Sequence, residues 1–217
     1  MRCSDIAITR FMQLEKNNPW SYLRGFQPYS FCDWPSKVSC VLFLGSCNLR
    51  CPTCHNHQLA WEPETLPLIA RDKIQSFLDK NKKWLDGIVI SGGEPTCTPY
   101  LDFFLSELLT FGQPIKLDTN GLRPEITRSL LQQGLVEMLS VDIKGPWRKY
   151  PTLTGNRCSQ QEARNSLQSI IDMSAHYNCH FQFRCTQVPE LTNQDIQEVR
   201  TLLPSDHELC LQDYVPV

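Results

Sequence analysis

Apolar residues along this chain gather in six short runs, at Val38 to Gly45, Gly87 to Ser91, Ile115 to Thr119, Val136 to Ile143, His180 to Val188 and Glu208 to Tyr214. Their length and their β-branched and aromatic content predict strands. Between them the apolar positions change to helical spacing, near Arg71 to Leu85, Leu101 to Phe111, Glu125 to Gln133, Gln160 to His176 and Asn193 to Leu203, which predicts amphipathic helices. Strand and helix alternate regularly, and a chain that does so builds parallel strands joined by right-handed crossovers. The expected fold class is α/β, an open or partly closed (β/α)6 barrel.

No internal repeat, low-complexity tract or Gly/Ser-rich linker divides the chain. One domain over residues 25–217 is expected, preceded by an N-terminal extension, residues 1–24, to which the sequence assigns no role. At 217 residues the chain can bury a substantial core without disulfide or metal staples. With 41% hydrophobic and 20% charged residues and a net charge of -2, the composition is that of a globular protein. It points to neither nucleic acid nor membrane as a main partner. The first twenty-five residues hold no apolar run suited to an export signal, and no later segment approaches a membrane span, so a cytoplasmic location is expected. Against that background the eleven cysteines, an odd number, suggest metal or redox chemistry and not a disulfide framework.

In parallel α/β sheets, function gathers at the carboxyl ends of the strands. The cysteine-bearing stretch GSCNLRCPTCHN follows the first predicted strand, SGGEP ends the second, DTNG the third and VDIK the fourth. Arg184, within the fifth, can reach the same rim from the barrel interior. Cys47, Cys51 and Cys54 stand at i, i+4 and i+7, close enough for one loop to wrap a cube of iron and sulfide with three thiolates. A cube fully held by protein takes four thiolates, so three leave one iron open to an outside chelator. The competing reading is a structural zinc or ordinary cluster site completed by Cys97, His55 or His57.

CNLRCPTCHN resembles the signature loop of radical S-adenosylmethionine (SAM) enzymes, and its CHN ending is similar to that of the enzymes that activate glycyl-radical proteins. The resemblance implies a partial TIM-like (β/α)6 barrel of the radical SAM type, with a [4Fe-4S] cluster on Cys47, Cys51 and Cys54 and SAM chelating the open iron. It further implies reductive cleavage of SAM to methionine and a 5′-deoxyadenosyl radical, chemistry that the cofactor carries and the protein positions. The family usually has an aromatic residue before the third cysteine, near the adenine; this chain has Thr53 there.

The other rim motifs gain meaning from the same resemblance. SGGEP alone reads as a turn, with two glycines and a Glu-Pro that can open a helix. Within the family pattern Gly92 and Gly93 let SAM approach the backbone and Glu94 faces its ammonium, a charge-assisted contact. LDTNG alone also reads as a turn; the resemblance makes Asp118, Thr119 and Asn120 candidates for the methionyl or ribose portion. Asp142 and Lys144 share one side of a strand because side chains alternate with period two, although Lys144 has the plainer reading of a solvated strand end. Arg184 resembles an arginine near the SAM carboxylate, a job its planar fork suits, against the plainer reading of a surface ion pair.

PYSFCDWPSKVSCVLFLGSC, ISGGEPT, KLDTNGLRPE, GLVEMLSVDIKGPWRKYPTLTG, FRCTQVPELT and LQDYVP together resemble the anaerobic ribonucleoside-triphosphate reductase activating proteins, from about Gly25 to the end. Ser36 departs from the family's usual glycine. The resemblance implies a glycyl-radical protein as substrate, that reductase, and a low-potential electron donor such as flavodoxin or ferredoxin. The implied reaction takes a hydrogen atom from a backbone glycine. Little sequence extends beyond the barrel to close the rim, which suits a protein loop as substrate. The alternatives are a radical SAM enzyme acting on a small molecule or peptide, in deazapurine chemistry for example, and a noncatalytic metal-cluster module. The cysteines at positions 3, 32, 40, 97, 158, 179, 185 and 210 form no second cluster motif, and most are expected to be small buried hydrophobes. His176, His180 and His207 have no metal-ligand spacing.

Overall fold

The computed structural model describes residues 18–216. Most of the N-terminal extension, residues 1–17, lies outside the described residues, as does Cys3. Seven strands form one sheet in chain order: β1 (Leu23–Ser30), β2 (Ser39–Leu44), β3 (Gly87–Gly92), β4 (Ile115–Thr119), β5 (Met138–Asp142), β6 (His180–Gln187) and β7 (Leu209–Asp213). Strands β2 to β7 are the six expected ones, each parallel to the next. β1 was not foreseen; it runs antiparallel along β2, and no pairing joins it to β7, so the barrel is partial.

Among the described residues seven α-helices accompany the strands: α1 (His57–Trp61), α2 (Arg71–Asn81), α3 (Leu101–Leu109), α4 (Pro124–Gln132), α5 (Tyr150–Leu153), α6 (Gln160–Ser174) and α7 (Asn193–Arg200). The five longest are those the spacing predicts, each ending one to four residues early. In α3 the buried residues Leu101, Phe104, Leu105 and Leu108 fall at i, i+3, i+4 and i+7, the stripe a helix presents to a sheet. Helices α6 and α7 start at capping boxes, Ser159 with Glu162 and Thr192 with Asp195, which satisfy backbone N–H groups that a helix start leaves bare. Pro124 opens α4 at a position where its missing N–H costs nothing.

Alternation along the strands separates two faces. Cys40, Leu42, Leu44, Ile88, Ile90, Ile115, Leu117, Leu139 and Val141 pack with the helices in the main core. The opposite face forms the barrel interior, and the strand register stacks it in layers. Val41, Val89, Lys116 and Met138 are paired neighbours in the lowest layer, where Val41, Val89 and Met138 pack with Trp34. Two residues further on stand Phe43, Ser91, Asp118, Ser140 and Gln182, and above them Asp142 pairs with Arg184. Apart from Lys116, the interior therefore changes from apolar at the amino ends of the strands to charged at their carboxyl ends.

The cysteines outside the GSCNLRCPTCHN stretch correct one expectation. Cys40, Cys158 and Cys185 are buried, but Cys97 and Cys179 are half-buried and Cys32 and Cys210 are exposed. Cys32 lies just after an edge strand and Cys210 on the other edge strand, where one face has nothing to pack against.

Candidate functional site

The loop from Gly45 to Asn56, which joins β2 to α1, is tied down on every side. Ser46 takes a left-handed conformation, φ 77°, and donates its N–H to Leu59 O at 3.0 Å. The Glu94 N–H returns a bond to Ser46 O at 2.8 Å. Asn120 Nδ2 donates to Asn48 Oδ1 at 2.8 Å, and Asn56 Nδ2 to Gly92 O at 3.2 Å. The Arg50 guanidinium folds back onto the carbonyls of Cys47 and Leu49, at 3.0 and 2.8 Å. These bonds fix the loop's path through protein contacts alone, the kind of support a cluster site needs.

The glycines of SGGEP serve that same loop. A Cβ on Gly92 would lie 2.2 Å from Leu44 O, and one on Gly93 would lie 2.1 Å from Ser46 O. Only glycine lets the two backbones approach so closely.

The three cysteines and the ends of β3, β4, β5 and β6 surround one cleft of about 270 Å³. Cys47, Cys51, Cys54, Gly92, Gly93, Glu94, Asp118, Thr119, Asn120, Asp142, Lys144 and Arg184 all line it, so the structure brings every site residue expected from the sequence to one cleft. Thr53 and His55 line it as well, joined by Leu153, Thr186, Val188 and Gln212, which lie in the segments that carry the resemblance but were not singled out as site residues. Cys97 and His57, two of the candidates for a fourth ligand, are not among the lining residues. His55 is, but its Nε2 sits 2.5 Å from Val215 O.

Glu94 is 1% exposed and accepts four hydrogen bonds. Its Oε1 takes the Thr96 N–H at 3.1 Å, Thr96 Oγ1 at 2.5 Å and Thr119 Oγ1 at 2.7 Å; its Oε2 takes the Asn120 N–H at 2.7 Å. The carboxylate thus pins the turn after β4 to the turn after β3. Burial pushes its pKa up, with the four donors opposing.

Asp118 and Asp142 are held by cations. Asp118 Oδ1 meets Lys116 Nζ and, at 3.4 Å, Arg184 Nη1, while its Oδ2 accepts from Ser91 Oγ at 3.0 Å. Arg184 grips Asp142 Oδ1 through Nε and Nη2, both at 2.9 Å, and Lys144 Nζ stands 3.3 Å from Asp142 Oδ2. Burial works against the charge of Asp142, but Arg184 and Lys144 outweigh it and hold the pKa down at about 2. Lys144 is held protonated by Asp142 against its own burial. Arg184 is therefore no surface ion pair, and sequence reasoning missed the buried Lys116. The only sign of Lys116's role in the sequence is its place two residues before Asp118, on the same strand face.

The thiols carry the chemistry of the site. Burial pushes Cys47 up to about 12 and raises Cys51 and Cys54 as well. None of the three is in a disulfide. Among the described residues, no group of three or more His, Cys, Asp or Glu side chains could hold a single metal ion. A cube of iron and sulfide makes a different demand, since thiolates at separate corners need not converge on one point. Three thiols on one preorganised loop, opening on a cleft with cations and carboxylates opposite, fit a cluster together with an amino-acid chelator.

Fold and site fit an iron–sulfur enzyme with a cofactor cleft at the carboxyl ends of a partial parallel barrel, and comparison with known proteins supplies the family. Residues 41–203 match the profile of the Radical SAM superfamily. A Methanocaldococcus jannaschii protein, provisionally assigned as a glycyl-radical enzyme activating enzyme, is 30% identical over 194 residues, 88% of this chain and 79% of that one. The 7-carboxy-7-deazaguanine synthase of Neisseria meningitidis is 37% identical over 92 residues, 42% of this chain and 40% of that one. Among solved structures, Streptococcus suis SuiB bound to the precursor peptide SuiA gives a TM-score of 0.61 at 14% identity, covering 97% of this chain and 44% of that one. TYW1 with a bound lysine-pyruvate adduct gives 0.57 at 17% identity, covering 83% and 65%. The chain thus spans less than two thirds of either solved structure.

The chain belongs to the radical SAM superfamily, whose members use a [4Fe-4S] cluster and S-adenosylmethionine. It is a radical SAM enzyme.

Proposed function

We propose that this enzyme generates a glycyl radical on an anaerobic ribonucleoside-triphosphate reductase. The observation that carries the cofactor half of this reading is the gathering of all twelve nominated residues around one cleft. The partner half rests on the motif resemblance and on the M. jannaschii relative, which matches across most of both chains.

Cys47, Cys51 and Cys54 would hold the cluster, and Arg184 and Lys144 would take the carboxylate of SAM. Gly92 and Gly93 would lie against its amino group, with Thr119 and Asn120 toward the methionyl or ribose portion; the Glu94 and Asp118 carboxylates, already taken up by protein donors, would hold the surrounding turns and Arg184 in place. Cluster and SAM together supply a primary carbon radical able to take a hydrogen atom from a backbone glycine. The protein's own part is to fix the loop, exclude alternative geometries and present the cleft to an incoming chain. A flavodoxin or ferredoxin would supply the electron.

The test is anaerobic reconstitution with iron and sulfide, then reduction and SAM addition, with 5′-deoxyadenosine quantified for wild type and for Cys47→Ala, Cys51→Ala and Cys54→Ala. Product lost in all three variants is expected. With the reductase added, the glycyl-radical EPR signal is expected too, and its absence despite SAM cleavage would overturn the partner assignment. The partial matches to 7-carboxy-7-deazaguanine synthases favour a second reading, a small-molecule substrate. In that case SAM turnover would be stimulated by a small-molecule precursor of a deazaguanine and not by the reductase.

A further inference from the structure

Lys116 has no exposed surface. It stands in β4 in the lowest layer of the barrel, between Val89 and Met138 in the strand register. An ammonium in such a layer persists only when paired, because an unpaired buried charge is strongly unfavourable. Its partner is Asp118, the next residue on the same face, and Asp118 begins a chain that climbs to the cleft. From Asp118 it passes to Arg184 at 3.4 Å, to Asp142 at 2.9 Å and to Lys144 at 3.3 Å. Charges alternate along these five residues. Three cations face two carboxylates, which leaves one positive charge in excess.

The position of that excess matters. Lys116 lies at the closed end, whereas Lys144 and Arg184 line the cleft. Asp118 is held by Lys116 and, at a longer 3.4 Å, by Arg184, whose 2.9 Å contacts go to Asp142 beside Lys144; Arg184 and Lys144 both line the cleft. Remove the Lys116 charge, and Arg184 is left to compensate Asp118 as well as Asp142; the sum over the remaining four falls to zero and nothing is left over for an anionic ligand.

We propose that Lys116 is a positioning residue that occupies Asp118 from beneath the cleft, leaving Arg184 and Lys144 with the uncompensated charge that takes the ligand's carboxylate. This rests on the SAM-binding reading above. The role belongs to charge placement and not to packing, which makes it separable by experiment. Replacing Lys116 by methionine removes the charge at similar volume. Replacing Asp118 by asparagine in addition restores an excess of one positive charge, carried by Arg184, Asp142 and Lys144.

Calorimetric titration of the anaerobically reconstituted protein with SAM, and with 5′-methylthioadenosine, which lacks the carboxylate-bearing arm, tests this. Lys116→Met is expected to weaken SAM by about tenfold or more, the worth of a charge-assisted hydrogen bond. 5′-Methylthioadenosine should stay within about twofold. The Lys116→Met/Asp118→Asn double variant should regain most of the SAM affinity. Unchanged SAM binding by Lys116→Met, equal loss of both ligands, or a double variant no better than the single would each overturn the inference. If Lys116→Met does not fold, the double variant decides alone: affinity near wild type supports the role, and selective loss of SAM refutes it. A wild-type protein that binds neither ligand would remove the SAM reading itself, an outcome distinct from all of these.

Discussion

A Cβ placed on Gly155 would lie 2.1 Å from the carbonyl oxygen of Arg50, so the turn after α5 is in direct backbone contact with the cysteine loop. The neighbouring Thr154 O accepts the Arg50 N–H at 3.2 Å, and Gly155 itself has φ +64°. Gly155→Ala must displace one of the two segments. A loss of about 2–3 kcal/mol is expected, with less iron retained after reconstitution. Gly134→Ala is the control: it shares the positive φ, +65°, but has nothing within 4 Å, so only the backbone cost of about 1 kcal/mol should appear and iron content should hold. Thermal melts and iron analysis of the two variants check this.

Glu94→Gln turns an amide NH2 toward backbone and hydroxyl donors that now meet a carboxylate. Buried donors left facing a donor cost about 2–3 kcal/mol. The denaturant midpoint should fall with its slope unchanged, because the turns after β3 and β4 lose their shared anchor while the sheet does not. Glu64→Gln, at an exposed position, should stay within about 0.5 kcal/mol of wild type.

Acid should expose the role of Asp142. Its folded pKa of about 2 lies below that of an unfolded aspartate, about 3.9. The stability it contributes is therefore fully present above about pH 4 and is lost as pH falls toward about 2. Asp142→Asn should be less stable than wild type at pH 7, and the gap should narrow steadily below about pH 4. Denaturant midpoints at a series of pH values measure it; a gap independent of pH would contradict the assignment.

Tyr150 is fully buried and its hydroxyl oxygen accepts the Lys144 N–H at 3.0 Å. Tyr150→Phe leaves that N–H without its partner and should cost about 1–2 kcal/mol. Because the bond sets the backbone at Lys144, SAM affinity should also fall, measured by the same calorimetric titration.

How far the sequence reached is clearest at particular residues. The parallel strands were legible because both faces are buried and their apolar runs are nearly continuous, as in β3. β1, with the sequence LRGFQPYS, hides its strand character: Pro28 and Gly25 interrupt it, and its outer edge and exposed stretch remove the alternation that marks a half-buried strand. The short helix α5 was equally silent, since four residues carry no period. At the site, motif residues were found but not their partners. Nothing in SGGEP announces that Glu94 bonds across to Thr119 and Asn120, and nothing in KLDTNG shows that Lys116 is buried. Those relations are set by which strands become neighbours, and that information lies in the tertiary fold.

Trp34 packs under the barrel against Val41, Val89 and Met138, and a Cβ on Gly87 would lie 2.6 Å from its ring. The interior is consequently closed at that end by hydrocarbon, with Lys116 set beside it, and open where the other charges gather. Among the described residues that floor offers no passage, so what enters at the charged end leaves on that side. In the proposed reaction a spent nucleoside fragment and an inserted polypeptide would then share one approach, and turnover would acquire an order: the protein chain withdraws first, and the small product follows.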